Sequence, residues 1–293
     1  MKPLHVALVH RDSPRAKQER MVGIWSASVP EFTWEHFDVE KKFKLNRDDF
    51  TDFNLIFYED GKLAGKWSGS KVPIAYHVVD STLSDEHYQI RRAQAAQVDL
   101  VLLCHENLDR FRYEGGPAVR RLSHCINTRF FKDWGEEKTV DVSFHNRTKG
   151  DWFRAELQDW LANHCRGRQW TYACGTRLNE EYGKAFNRSK VTVNWSRQAL
   201  NRPHRVFDAM GCRTCLLSRT LPDVSGEATE EGVHYVAWND YAELANRLDD
   251  LLMPEHDLWR DIGDVGYTYV HTEHTWPVRA KQLRQILREE LGL

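Results

Sequence analysis

The chain has 293 residues, a length that accommodates two domains of ordinary size. Apolar residues make up 41% of it and charged residues 29%, and the formal net charge is -2, so the composition excludes a disordered chain and shows no basic tail or stripe for nucleic acid. No apolar run reaches the ~20 residues of a membrane span. The amino end lacks the pattern of a signal peptide, so we expect a cytoplasmic protein with reduced cysteines.

Short apolar runs alternate with helical or polar stretches through the first half. This alternation predicts an α/β domain with a parallel sheet. A polar stretch rich in Gly, Lys and Ser at 59–71 predicts a loop, and Ser84 is expected to cap a helix that runs to Gln97. The predicted strands are 5–10, 34–39, 53–58, 72–79, 99–104 and 120–125.

Several polar side chains stand at the ends of these strands. Because ligands bind at the carboxyl ends of parallel strands, we expect these side chains to face a binding cleft. Histidine and aspartate can serve there as a general base for an acceptor hydroxyl. The candidates are His10, Arg11, His77, Asp80 and His105.

A polar, irregular stretch at 130–138 marks the expected domain boundary. We predict an N-terminal domain at 1–136, a second α/β domain at 137–275 and a terminal amphipathic helix within 276–293. The second domain repeats the alternation, with Asp240 and Glu243 forming a capping box. Its predicted strands are 139–144, 170–173, 190–195, 214–217 and 234–238, and its predicted helices are 151–164, 179–187, 240–252 and 257–269.

The most informative stretch is 201–218, NRPHRVFDAMGCRTCLLS. Asn201 is expected to cap a short helix, and Gly211 is expected to end it in the left-handed conformation. Arg205 and Asp208 are three residues apart and therefore project from one side of that helix. Their pattern fits either a solvated charged face or a ligand site. Cys212-x-x-Cys215 is a single pair, so two small residues at a turn are favoured over a zinc site.

The run Arg205-x-Phe207-Asp208-Ala209 before an apolar strand resembles the nucleotide-sugar half of GT-B glycosyltransferases, closest to the CgeB-like branch of the family-4-type group. The similarity extends through Asp80, the loop 145–150, and the matched residues Asn187, Ser189, Lys190, Asn194, His274, Thr275, Trp276 and Arg279. It implies two Rossmann-like domains that face a cleft, with the last helix crossing back to the first domain.

The resemblance also implies roles for individual residues. Asp208, where the family has glutamate, would bind the ribose hydroxyls, and residues 175–177 with Tyr182 would lie near the base. Arg147, Lys149, Asn194 and Arg205 would bind the donor and its departing diphosphate. His77 and Asp80 are the catalytic candidates, and His10, Arg11 and His105 the acceptor-binding ones. No D-x-D metal signature occurs, so we expect a site without metal or cofactor.

The sequence thus predicts a metal-independent transfer of a sugar from a nucleotide sugar to a hydroxyl acceptor. The acceptor is left open between a glycan, a small metabolite and a hydroxymethylated DNA base, and nothing indicates an oligomeric state. The alternative is a nucleotide-sugar-binding protein without transfer activity, because Leu200 stands at the family's first acidic position. A third hypothesis is an α/β protein that binds another ligand. A dinucleotide is disfavoured as that ligand, because no G-x-G-x-x-G motif follows the first strand.

Overall fold

The computed structural model describes residues 2–10, 29–39, 42–59, 64–78, 92–104, 108–146, 151–195, 202–222 and 229–293. They form two compact units, one made of residues 1–123 with 276–293 and the other of residues 124–275. Within the described residues, no helix is long and apolar enough to cross a membrane.

The first unit is built on a six-stranded parallel sheet in the order β2-β1-β4-β6-β7-β8. Its middle strands are buried over their whole length, as expected of a parallel sheet covered on both faces. The order reverses direction between β1 and β4, which makes that point the switch point of the sheet. The strands are β1 Leu4–His10, β2 Phe32–Asp38, β4 Leu55–Glu59, β6 Ile74–Val78, β7 Leu100–Leu103 and β8 Ala118–Arg121.

Two strands of the first unit stand apart in a two-stranded parallel sheet, β3 Lys42–Asn46 and β5 Ala64–Ser68. The prediction of a loop over 59–71 is therefore wrong for β5, and β3 was not predicted. The side-chain packing explains why the pair forms. The Phe43 ring contacts the rings of Tyr58 and Trp67 at centroid distances of 5.6 and 5.3 Å. Gly65 leaves room for it, because a Cβ there would lie 1.9 Å from Phe43 Cζ.

The last helix belongs to the first unit. This helix, α6, spans Trp276–Leu291. Arg279 Nε donates a hydrogen bond of 3.0 Å to the carbonyl of Ser123, and Nη1 donates one of 3.1 Å to Gln282 Oε1. Glu290 forms an ion pair with Arg120 of β8. Arg279, one of the residues that carried the resemblance, thus holds α6 on the unit to which it belongs.

The second unit has a five-stranded parallel sheet in the order β10-β9-β11-β12-β13, with its switch point between β9 and β11. Two hydrophobic clusters pack against this sheet. Its strands are β9 Val140–Phe144, β10 Tyr172–Cys174, β11 Ser189–Asn194, β12 Cys215–Arg219 and β13 Val236–Trp238, and its helices are α1 Trp152–Arg168, α2 Asn179–Asn187, α3 His204–Met210, α4 Tyr241–Leu251 and α5 Leu258–Glu273.

Two helices of the second unit begin at side-chain caps that the sequence indicates. Asp151 caps α1 by accepting from the Arg154 N–H, and Asp240 caps α4 by accepting from the Glu243 N–H. The prediction for Gly211 is wrong: its φ is -61°, and Arg213 takes the left-handed conformation instead, with φ 54°. Gly211 is required for space, because a Cβ there would lie 3.1 Å from Ile126 Cδ1 and from the Phe207 carbonyl oxygen.

Candidate functional site

The carboxyl edge of the second sheet carries a connected line of polar side chains. Ser218 and Asn194 end or nearly end β12 and β11, and both are fully buried. Asn194 Nδ2 donates to Ser218 Oγ at 2.9 Å, and Arg205 Nη1 donates to Asn194 Oδ1 at 2.9 Å. The chain of bonds orients the guanidinium of Arg205 at the edge of the sheet.

Arg205 retains an unused donor. Its Nε is buried and has no hydrogen-bond partner among the described residues. A buried N–H without a partner costs about 1–3 kcal/mol, and this donor is free to bond a ligand at the edge of the sheet. The pattern of α3 accounts for its placement, because Val206, Phe207 and Met210 are buried and turn Arg205 toward β11.

Asp208 lies one turn after Arg205 on α3 and is 8% exposed. Both residues were predicted to project from one side of this helix. Asp208 is close enough to Cys212 for its charge to contribute to the raised pKa of that thiol, for which burial is the main cause.

His145 and Asn146 follow β9 directly, at the switch point of this sheet. Asn146 is 3% exposed, yet neither its amide nitrogen nor its oxygen has a hydrogen-bond partner among the described residues. In the sequence these two residues belong to the loop 145–150 that carried part of the resemblance, and neither was a predicted site residue. The signal that identifies them is their position immediately after a buried strand.

His145 is held in a defined tautomer. Its Nδ1 lies 3.4 Å from the carbonyl oxygen of Gly175, so Nδ1 carries the proton and Nε2 is an acceptor. Burial is the main cause that lowers the pKa of His145 to about 4. The positive charges of Arg177 and Arg205 also lower it, while the hydrogen bond to Gly175 raises it. The Tyr182 hydroxyl donates to the His145 carbonyl at 3.3 Å. Gly175, Arg177 and Tyr182, which were expected near the base of the nucleotide, therefore lie next to the neutral imidazole of His145.

The carboxyl edge of the first sheet carries other side chains. His77 of β6 is fully buried, its Nε2 lies 3.2 Å from Cys104 Sγ, and its Nδ1 lies 3.8 Å from Glu59 Oε1. At the switch point, His10 ends β1, and its Nε2 lies 3.2 Å from His36 Nδ1. Imidazole, thiol and carboxylate groups are the types that accept and relay protons.

Five of the predicted site residues lie outside the described residues: Arg11, Asp80, His105, Arg147 and Lys149. The proposed cap Asn201 lies outside them as well. Arg202, which precedes α3 and was not a predicted site residue, is buried and donates to the Pro222 carbonyl and to Thr229 Oγ1. The structure therefore bonds Arg205 to Asn194 in the second unit and places His10 and His77 along one sheet edge in the first. Asp208 lies on the same helix as Arg205, and its role in the site stays a prediction.

Cys212 and Cys215 lie in the hydrophobic core of the second unit. Both side chains are fully buried and free, and burial raises the pKa of both thiols, that of Cys215 to about 12. A protonated thiol is a poor metal ligand. Among the described residues, no cluster of His, Cys, Asp and Glu has the arrangement of a metal site.

Comparison with known proteins defines the class. Residues 147–285 match the family model of glycosyl transferase-like proteins. Anabaena HepE, solved in complex with UDP and glucose, is similar in structure with a TM-score of 0.67 and 12% identity over 98% of this chain and 100% of that chain. Sucrose-phosphate synthase from Thermosynechococcus elongatus has a TM-score of 0.66 and 11% identity over 99% of both chains. No curated protein matches the chain by sequence.

A glycosyltransferase from Rickettsia africae adds a further structural match, with a TM-score of 0.60 and 7% identity over 99% of both chains. These likenesses establish the fold, which is the GT-B fold with two Rossmann-like units. The predicted resemblance to GT-B fold glycosyltransferases is confirmed by the fold and by the family match in the second unit. The CgeB-like branch stays a prediction.

Proposed function

We propose that the protein is a glycosyltransferase that moves a sugar from a nucleotide-sugar donor to a hydroxyl acceptor. The observation that carries this proposal is the bonded line Ser218–Asn194–Arg205, which ends in an unused buried guanidinium N–H at the carboxyl edge of the second sheet. The family match covers this part of the chain. The structural neighbour HepE was solved with UDP and glucose, which makes uridine diphosphate sugars the first donors to test.

The chemistry at this edge is stabilisation of a leaving group. As the bond between the sugar and the diphosphate breaks, negative charge grows on the diphosphate, and fixed cations that face it lower the barrier. Arg205 supplies one preoriented cation, and we expect Arg147 and Lys149 of the loop after β9 to supply more. Asn194 acts by positioning Arg205, since both of its side-chain groups are already bonded. Asp208 accepts hydrogen bonds from the ribose hydroxyls.

The acceptor side of the proposal rests on the first unit. His77 and Asp80 are proposed to handle the proton of the acceptor hydroxyl, with His10, Arg11 and His105 as acceptor contacts. The acceptor classes to test are a glycan, a small metabolite and a hydroxymethylated DNA base. Binding to DNA would weaken steeply as salt is raised, so gel shifts at two ionic strengths distinguish the last class. We expect the reaction to proceed without a metal ion.

A second candidate is a nucleotide-sugar-binding protein without transfer activity. His77 Nε2, the atom that would take a proton, lies 3.2 Å from the Cys104 thiol, and Leu200 replaces an acidic residue of the family. This candidate has nucleotide affinity without turnover, whereas the transferase has both.

One experiment separates the two. The full chain is incubated with UDP-, GDP- and ADP-sugars, and binding is measured by calorimetry while release of the nucleoside diphosphate is followed by mass spectrometry. With water or an added glycan as the acceptor of the sugar, a transferase releases diphosphate from at least one donor. The Arg205→Ala and Arg147→Ala variants lose donor affinity, while an Arg166→Ala control does not. Absence of both binding and release with every donor contradicts the proposal.

A further inference from the structure

A cavity of about 570 Å³ lies in the first unit, beside α6. Its lining includes Lys2, just before β1, and Glu31, just before β2, which places it at the amino edge of that sheet. The candidate side chains of this unit lie at the opposite, carboxyl edge. The volume is within the range of small-molecule sites, about 300–1,000 Å³.

Cations dominate the lining. Lys281, Arg284 and Arg288 share one face of α6, at spacings of three and four residues, and Lys2 adds a fourth positive charge. Two carboxylates, Glu31 and Glu289, also line the cavity, so positive charge is in excess. Glu289 already accepts a hydrogen bond of 2.8 Å from Gln285 Nε2.

Two polar atoms of the lining have no partner. Arg284 Nη1 and Glu31 Oε2 are both buried and make no hydrogen bond among the described residues. Burial and the neighbouring charge of Arg288 lower the pKa of Arg284. An anion placed between the cations of α6 would offset this repulsion, and a donor group on the same ligand would satisfy Glu31.

We propose that this cavity binds a phosphate ester that carries hydroxyl groups. The phosphate contacts Lys281, Arg284 and Arg288, and a hydroxyl donates to Glu31. Arginine suits this role because its planar fork bonds two phosphate oxygens. The site is separate from the donor site in the second unit and does not depend on transferase activity.

The test uses the full chain and three probes: glucose 6-phosphate, inorganic phosphate and glucose. Calorimetry compares wild type with Arg284→Gln, Lys281→Gln and Glu31→Gln, and Arg112→Gln serves as the control because its side chain lies elsewhere in the unit on an exposed turn with Asp109. We expect Arg284→Gln and Lys281→Gln to weaken glucose 6-phosphate and phosphate by about tenfold each, the value of one charge-assisted hydrogen bond. Glu31→Gln replaces the carboxylate by a weaker, neutral acceptor and removes a negative charge beside the phosphate, so it should weaken glucose 6-phosphate relative to inorganic phosphate.

Each outcome decides the proposal. Glucose 6-phosphate that does not bind the wild type, or that binds the two cation variants as tightly as the wild type, overturns it. If Arg284→Gln does not fold, Lys281→Gln gives the answer, since Lys281 is exposed on the surface of α6. An unaffected Glu31→Gln beside defective cation variants overturns the hydroxyl contact and leaves a plain phosphate site.

Discussion

The six-stranded and the five-stranded sheet of this chain each have one switch point in their strand order, but they carry different side chains at their carboxyl edges. The edge of the second sheet has Arg205, fixed by Asn194 and Ser218, close to the neutral ring of His145. The edge of the first sheet has His77 between a thiol and a carboxylate. We propose that the fixed cation of the second unit stabilises the departing diphosphate, and that the imidazole and carboxylate of the first unit accept the proton of the acceptor hydroxyl.

The largest effect is expected at Arg205. Arg205→Ala should lower kcat/KM for the nucleotide-sugar donor by about 1,000-fold, because a fixed cation at the departing diphosphate is removed. UDP affinity, measured by calorimetry, should fall with it. Arg205→Lys should not restore activity, since an ammonium cannot bond Asn194 and a phosphate in the same planar fork. If Arg205→Ala turned over the donor as fast as the wild type, another residue would have to supply the cation at the departing diphosphate.

The next effect is a pH dependence of stability from His145. The folded protein keeps this ring neutral down to a pKa of about 4, whereas the unfolded chain protonates it near 6.5. Between these values the unfolded chain binds more protons, so the free energy of unfolding falls as the pH drops from 6.5 to 4. The difference amounts to about 3 kcal/mol.

Urea unfolding at several pH values measures this slope. His145→Asn should flatten the curve between pH 6.5 and 4, while His256→Asn, an exposed histidine, should leave it as in the wild type. Parallel curves for wild type and His145→Asn would show that the buried ring does not titrate as described.

A substitution at His77 tests the proposed role of the first sheet by the same two measurements as at Arg205, turnover and UDP affinity. His77→Asn should lower kcat by about 100-fold, the contribution of a general base at the low end of its range, while the affinity for UDP stays unchanged. Cys104→Ser, which keeps a small polar group beside Nε2, is the companion variant. If His77→Asn lost as much UDP affinity as Arg205→Ala, the proposal that the two sheets have different roles would be contradicted.

The smallest effect concerns the packing that carries α3. Gly211→Ala should destabilise the second unit by about 1–3 kcal/mol, because the added methyl meets Ile126 Cδ1 and the Phe207 carbonyl oxygen at 3.1 Å. Gly167→Ala in α1 is the matched control, since a Cβ there meets nothing within 4 Å and should slightly stabilise the helix. Thermal unfolding of both variants measures the contrast. An unchanged Tm in Gly211→Ala would mean that its neighbours yield without cost.

The order of strands and helices follows from the sequence wherever a long apolar run or a cap defines an element. Buried parallel strands such as β6 and β7 are mainly apolar runs, and Asp240 with Glu243 marks the start of α4. The short strands β3 and β5 escaped prediction because their stability comes from Phe43 against Tyr58 and Trp67, a contact between distant parts of the chain. The role of Gly211 was misread for the same reason: its neighbour Ile126 is remote in sequence.

The sequence by itself determined the α/β class, because the alternation of apolar runs and polar or helical stretches is a local property of the chain. It also carried the GT-B resemblance, through motifs spread from Asp80 to Arg279, while the roles of Arg205 and Asp208 stay predictions. Only the tertiary structure decided that Asn194 positions Arg205, that Arg279 holds the last helix through Ser123, and that the imidazole of His145 is neutral. Those properties arise from burial and from bonds between separate strands, and neither quantity can be read from the chain before it folds.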